Sequence, residues 1–190
     1  QNHKIYMLGG GNPARIPEVQ AFLRSCLEDA LLQPQQFDDL VGSYDAPEGN
    51  AKFIEAIASL LRNECGWPVG CENIAVTNGS QNSFFTLFNL FAGQCPDGRQ
   101  RRILLPLTPE YIGYGGIGLG QELFYSRRPN IEIRGQYEFK YHVDFDHLNI
   151  REDTGAICIS RPTNPTGNVI TDGEILGLRD IAAKQDIPLI

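Results

Sequence analysis

Positive charge is scarce in this chain. Sixteen Lys and Arg stand against 23 Asp and Glu, a formal charge of -7 over 190 residues. That balance argues against nucleic acid as a partner, because a phosphate backbone is held by clustered cations. Long apolar runs are missing too. No stretch approaches the roughly 20 residues that cross a bilayer as a helix, so no membrane partner is expected. No signal-peptide pattern opens the sequence. The five cysteines are odd in number and form no C-x-x-C pair. This speaks against a disulfide framework or a zinc site and reads as reduced thiols in a cytoplasmic protein.

What is present is an ordinary globular composition, 42% apolar and 21% charged, with enough chain for one domain with a core. The sequence begins at Gln1 and ends in Ile187-Pro188-Leu189-Ile190, which looks like a strand just starting. The expectation is therefore an amino-terminal piece of a longer polypeptide.

Helical spacing of Val19, Phe22, Leu23, Cys26, Leu27 and Ala30 predicts a helix over residues 17–32 with a buried stripe. Pro17 suits its first turn, and Pro34 closes the segment. Phe53, Ile57, Leu60 and Leu61 mark one side of a second helix, behind the turn-rich YDAPEGN of residues 44–50. Phe84, Leu87, Phe88 and Phe91 mark a third. Phe85 and Leu90 fall off that stripe, which predicts a helix buried on several sides. Ile175, Leu178, Ile181 and Ala182 mark the last helix, opened by a capping box of Thr171 and Glu174. Short apolar runs at 73–77, 102–107, 122–125, 156–160 and 187–190 read as strands. Strands alternating with helices predict an α/β fold, a mainly parallel sheet with helices on both faces.

Open α/β sheets bind ligands beyond the carboxyl ends of their strands. SRPTNPTGN, residues 160–168, lies in such a position. Pro162 and Pro165 stiffen it and Gly167 permits a turn, so the Asn164 amide has a defined aim. That amide can donate to a phenolate-like oxygen or meet a carboxylate. Asn78-Gly79-Ser80-Gln81 precedes the Phe-rich helix, whose free N–H groups and Ser80 hydroxyl suit a phosphate. An ordinary cap by Asn78 or Ser80 is the alternative. PEYIGY, residues 109–114, places Tyr111 and Tyr114 past the 102–107 strand, where a ring could stack on a flat ligand or face the core. Tyr44 alone reads as a packing residue at a loop rim. The glycines of IYMLGGGNP, residues 5–13, allow either close backbone approach to a ligand or a flexible connection.

Two patterns are weighed and set aside. GYGGIG at 113–118, with Glu132 beyond it, matches a dinucleotide fingerprint, but TPEYI separates the glycines from the strand. His142, Asp144, Asp146 and His147 could bind a metal. They read instead as bordering a turn into a short helix, so no metal is expected.

The motifs GGGNP, YDAPEGN, TNGSQ, PEYIGY and SRPTNPTGN follow one another in a fixed order. Over nearly the whole chain that order resembles the pyridoxal-phosphate-dependent aminotransferases of fold type I. The finer pattern of LPLTPEYIGYGGIGL, KYHVDFDHL and SRPTNPTGNVITD resembles the branch that moves an amino group between valine and pyruvate. The resemblance implies pyridoxal 5'-phosphate as cofactor, an amino acid and a 2-oxo acid as substrates, and a homodimer with active sites at the subunit interface. It implies that Gly79, Ser80 and Gln81 hold the cofactor phosphate, and that Tyr111 stacks on the pyridine ring. Asn164 would bond the phenolic oxygen and stand beside the substrate. Tyr44 would reach the phosphate of the neighbouring subunit. Gly11, or Gly10 by a one-residue slip, would meet the substrate carboxylate. Residues 1–45 would contribute to a small domain and dimer contacts, and residues 46–190 would form an incomplete cofactor-binding large domain.

The family also needs a Schiff-base lysine, an aspartate opposite the pyridine nitrogen and a carboxylate-binding arginine. Lys4, Lys52, Lys140 and Lys184 stand in no context resembling the family's lysine. No catalytic residue is therefore expected in this chain, and the piece alone is expected to be inactive. Another cofactor-dependent aminotransferase or lyase, or a non-catalytic ligand-sensing module on the same scaffold, are the alternative readings.

Overall fold

The structure, a computed structural model, describes residues 12–190. The chain divides into two compact units, Gln1–Val76 and Thr77–Ile190.

The first unit is helical: α1 (Pro17–Leu31), α2 (Pro34–Gly42) and α3 (Ala51–Cys65). The α1 helix starts at Pro17 as expected. The α2 helix is not expected from the sequence, where Pro34 reads as a stop. A proline ends a helix upstream of itself yet suits the first position of the next, where its missing N–H has no partner to lose. Pro34 does both. The predicted buried stripe of α1 is not buried: Phe22 is 65% and Leu23 60% exposed, Cys26 is exposed, and α1 holds no buried residue. Helical spacing reports a face fit to be covered, and one short helix packed on another supplies too little area to cover it. In α3, Asn50 caps the helix by accepting from the Phe53 N–H at 3.1 Å. Its buried positions are Ile54 and Ala58, whereas Phe53 and Leu60 are exposed, so the stripe is turned from the one expected. The run 73–77 is not a strand. Cys71–Asn73 is a 3₁₀ turn, and the Val76 N–H donates to the Glu48 carbonyl at 2.7 Å with no ladder around that bond.

The second unit holds the sheet. Its strands are β1 (Gly93–Gln94), β2 (Gln100–Leu105), β3 (Phe124–Ser126) and β6 (Thr154–Ile157), with β4 (Asn130–Ile133) and β5 (Phe139–His142) forming a separate antiparallel hairpin. Central β2 pairs in parallel with β3 on one side and β6 on the other, and β1 meets its start antiparallel. Leu189 bridges Ile157 in parallel, so the last apolar run lies along β6. The hairpin is an element that no apolar run announces, because polar Asn130, Glu132, Lys140 and His142 alternate with apolar residues along it.

Successive residues of a strand face opposite ways, and the two cores follow that rule. Ile103, Ala156 and Cys158 pack with Phe88 of α4 (Ser80–Phe91). Their neighbours Leu104 and Ile157 pack with Leu178 and Ala182 of α5 (Asp172–Lys184). The two helices therefore cover opposite faces of the sheet, the α/β arrangement that the alternation of runs predicts. The α4 helix is not buried on several sides, however: Phe88 is sealed, but Leu90 is 65% exposed.

The α5 helix begins with the expected capping box. The Glu174 N–H donates to the Thr171 hydroxyl, and the Thr171 N–H donates to Glu174 Oε2 at 2.7 Å. Glu174 Oε1 also accepts from the Val143 N–H at 2.9 Å and lies 3.2 Å from His142 Nδ1. Burial works to raise this carboxyl's pKa, but the Thr171 and Val143 donors and His142 outweigh it, and the pKa lies below its ordinary value.

Removing the carboxylate in Glu174→Ala strands the buried Val143 N–H and removes half of the capping box, and is expected to cost about 1–3 kcal/mol in urea denaturation. A depressed folded-state pKa contributes stability that is complete above the unfolded value and is lost as pH falls through the folded one. The difference between wild type and Glu174→Ala should therefore shrink on acidification below the ordinary carboxylate range.

Candidate active site

The site begins at the amino end of α4. Gly79 stands at the N-cap with φ 96° and ψ 164°, a conformation open to glycine alone. No side chain caps the helix, neither Asn78 nor Ser80. The Asn82 and Ser83 N–H groups fold back onto the Gly79 carbonyl at 3.1 and 3.2 Å. Those of Ser80 and Gln81 have no acceptor among the described residues. Two parallel N–H groups and a hydroxyl thus stand at the positive end of a helix dipole, the arrangement that holds an anion.

Tyr111 follows β2 and precedes a 3₁₀ turn at Ile112–Gly116. Gln81 Nε2 donates to its hydroxyl at 3.3 Å. Its ring meets Tyr114 edge-on, with centroids 5.5 Å apart. Tyr114 in turn packs on Phe84 and Phe88 at 4.8 and 5.2 Å. The two tyrosines divide the roles that the sequence leaves open: Tyr114 is core, and Tyr111 keeps part of its ring uncovered. Burial raises the Tyr114 pKa against the opposing pull of its bond to Ser160, so its hydroxyl stays protonated. Burial also pushes the Cys158 thiol up to about 12, which leaves it inert as a nucleophile.

Gly113 explains part of GYGGIG. A Cβ there would collide with Tyr111 Cε1 and lie 2.6 Å from Gln81 Nε2. The glycine makes room for the Tyr111–Gln81 contact.

The Asn164 loop begins at Ser160, shortly beyond the end of β6. The Ser160 N–H donates to Glu110 Oε1 at 2.8 Å, and its hydroxyl shares a 2.9 Å bond with the Tyr114 hydroxyl. Thr163, 2% exposed, closes the loop on itself. Its hydroxyl donates to the Ser160 carbonyl at 3.0 Å, its N–H donates to the Asn168 carbonyl at 3.0 Å, and its carbonyl accepts from the Gly167 N–H at 2.7 Å. The Asn168 amide binds the Tyr141 backbone through both its oxygen and its nitrogen. The Thr108-Pro109, Arg161-Pro162 and Asn164-Pro165 bonds are cis. Asn164 itself is exposed and bonds to none of the described residues.

Gln81 and Tyr111 therefore touch, and the Asn164 loop is tied to the Tyr111 loop at Ser160. Tyr44 belongs to the first unit, where its fully exposed side chain lines a cavity of about 1250 Å³ among residues 30–53. Gly10 and Gly11 lie outside the described residues. Among the described residues no group of His, Cys, Asp or Glu could hold a metal ion. His142 is taken up by Glu132 and Glu174, and His147 by Asp144, with Phe145–His147 forming the short helical turn expected there. No helix of the described residues is long and apolar enough to cross a membrane. The structure adds Glu110, Gly113 and Ser160 to the residues that shape the site; each acts through a contact with another loop or helix, and no local sequence pattern marks that role.

Residues 33–190 match the family described as aminotransferase class I and II. The chain belongs to that family. It is 54% identical over 184 residues to a valine–pyruvate aminotransferase of Escherichia coli (strain K12), covering 97% of this chain and 44% of that protein. It superposes on the crystal structure of a valine–pyruvate aminotransferase from Salmonella typhimurium LT2 with a TM-score of 0.81 at 51% identity, covering 96% of this chain and 45% of the other. Aspartate aminotransferase from Thermus thermophilus shares the fold, with a TM-score of 0.66 at 21% identity over 89% of this chain and 40% of that one. The chain thus spans under half the length of the relatives it matches. The family works with pyridoxal phosphate.

Gly113→Ala is expected to displace the Tyr111 ring and cost about 1–3 kcal/mol by overpacking. A Cβ on Gly116 meets nothing within 4 Å, and Gly116→Ala should stay within about 0.5 kcal/mol of wild type. Denaturant midpoints of the two variants check both expectations.

Proposed function

We propose that the protein carrying this chain is a pyridoxal-phosphate-dependent aminotransferase, and that this chain forms its amino-terminal part. It transfers an amino group from L-valine to pyruvate, giving 2-oxoisovalerate and L-alanine. One observation carries the cofactor reading: the uncapped start of α4, with free Ser80 and Gln81 N–H groups, is joined to the Tyr111 ring by the 3.3 Å Gln81 bond. A phosphate and a flat ring are what those two features suit, so the residues present fit the cofactor. Support for the substrate pair is the 54% identity to the E. coli protein of that name.

On this reading Gly79, Ser80 and Gln81 hold the phosphate, and the helix dipole offsets its charge. Tyr111 covers one face of the pyridine ring and orients it. The unpartnered Asn164 amide donates to the phenolic oxygen, beside the substrate. The cofactor, when bound, supplies the electron sink that amino transfer requires. Lys140 Nζ donates to the Val169 carbonyl at 2.5 Å, and no lysine of this chain is assigned the catalytic role. The Schiff-base lysine, the aspartate and the carboxylate-binding arginine are assigned to the remainder of the protein, so this chain alone is inactive. Gly11, or Gly10, contacts the substrate carboxylate. Residues 1–45 make dimer and small-domain contacts, for which the exposed apolar face of α1 is suited, and Tyr44 reaches the partner subunit's cofactor phosphate. Residues 46–190 belong to the large domain of a cytoplasmic homodimer.

The natural protein should show the visible absorption band of bound pyridoxal phosphate and convert valine and pyruvate to 2-oxoisovalerate and alanine. A purified protein that takes up no cofactor sinks the reading; one that binds it but prefers another donor changes the substrate alone. Ser80→Asp places a negative charge where the phosphate sits, and is expected to weaken cofactor binding at least about tenfold, or about 1.4 kcal/mol. Equilibrium titration with the cofactor measures it.

A further inference from the structure

The parallel pairing of β2 with β6 stops abruptly at its carboxyl end. The Cys158 N–H donates to the Leu104 carbonyl at 2.9 Å, and among the described residues this is the last backbone bond between the two strands. Alternate N–H groups of a strand point the same way, so the next donor on this side is Ser160. The Ile159 N–H faces the other way, donating to the Ile190 carbonyl at 3.1 Å. Chain β2 has meanwhile turned off through Pro106, and its backbone offers Ser160 no bond. The acceptor that Ser160 finds is the side chain of Glu110, Oε1 at 2.8 Å. The other oxygen, Oε2, accepts the N–H of Tyr111 at 3.2 Å.

The geometry points to Glu110 as a positioning residue: its carboxylate, held at once by the Ser160 and Tyr111 N–H groups, extends the sheet's ladder past the strand ends and fixes the Asn164 loop relative to the Tyr111 ring. This rests on the site reading above, since the spacing matters only if both residues serve one ligand. A carboxylate is suited to the task because both its oxygens accept. Glutamine has the same shape but turns an NH₂ toward one of the two N–H groups, so one bond is lost. Aspartate keeps the charge but is one methylene short of the reach. The Tyr114–Ser160 hydroxyl bond at 2.9 Å joins the same two loops and keeps them from separating when the carboxylate is removed.

The test compares wild type, Glu110→Gln and Glu110→Asp in the natural protein, by amide hydrogen exchange without cofactor and by titration with pyridoxal phosphate. Glu110→Gln should speed exchange of residues 160–168 and 109–116 together about tenfold, the size of one lost hydrogen bond to a charged acceptor, with α5 unchanged. It should raise the dissociation constant of the cofactor by a similar factor. Glu110→Asp, which keeps the charge but falls short of Ser160, should speed exchange at least as much, and it decides the matter if the glutamine variant does not fold. Exchange and cofactor affinity within twofold of wild type in the folded variants overturn the clamp. If wild type takes up no cofactor, the proposed function falls, and the exchange comparison still decides whether Glu110 holds the two loops.

Discussion

The hydrogen bond from the Cys158 N–H to the Leu104 carbonyl is the rung on which the site depends. It holds β2 and β6 in parallel at their carboxyl ends, and both site loops leave the sheet just beyond it. Parallel strands carry every such exit to the same edge, which is why ligands gather there in open α/β sheets. Past this rung the backbone makes no further bond between the two strands, and side chains take over the spacing. Glu110 bonds Ser160, Tyr114 bonds Ser160, and Gln81 bonds Tyr111. The site is thus a short continuation of the sheet built from side chains.

The two cores give that edge its rigidity. Ile103 and Ala156 face α4, while Leu104 and Ile157 face α5, and all four are sealed from solvent. Each strand is clamped from both sides, so its end has little freedom. The same packing sets the start of α4, where the phosphate is proposed to sit, because Phe88 anchors the helix on the sheet. The uncapped N–H groups of that helix therefore stand at a fixed place. The absent cap is compatible with the proposed phosphate. A side chain bonded to the first N–H groups would occupy the position that an anion needs.

Much of this was legible in the residues, and the exceptions share a cause. The alternation of apolar runs with helical stripes showed a two-faced α/β sheet, because strand and helix periods are local properties of the chain. Proline and glycine placed the loops after β2 and β6 for the same reason. Burial was less legible. The α1 stripe has the spacing of a buried face and lies exposed, since spacing cannot show whether a partner surface is present. Residues 73–77 look like a strand, but a strand exists only where another pairs with it. Pro34 served as both stop and start, and only the stop was readable. Glu110 and Gly113 matter through contacts with Ser160, Tyr111 and Gln81, which no local pattern encodes.

The central claim is that the start of α4, the Tyr111 ring and the Asn164 amide serve one cofactor. A crystal structure of the natural protein with pyridoxal phosphate tests it most directly. The account predicts the phosphate within about 3 Å of the Ser80 and Gln81 N–H groups, the pyridine ring against Tyr111, and the phenolic oxygen on Asn164. A cofactor bound away from α4, or a phosphate held elsewhere with Ser80 and Gln81 free, would contradict it.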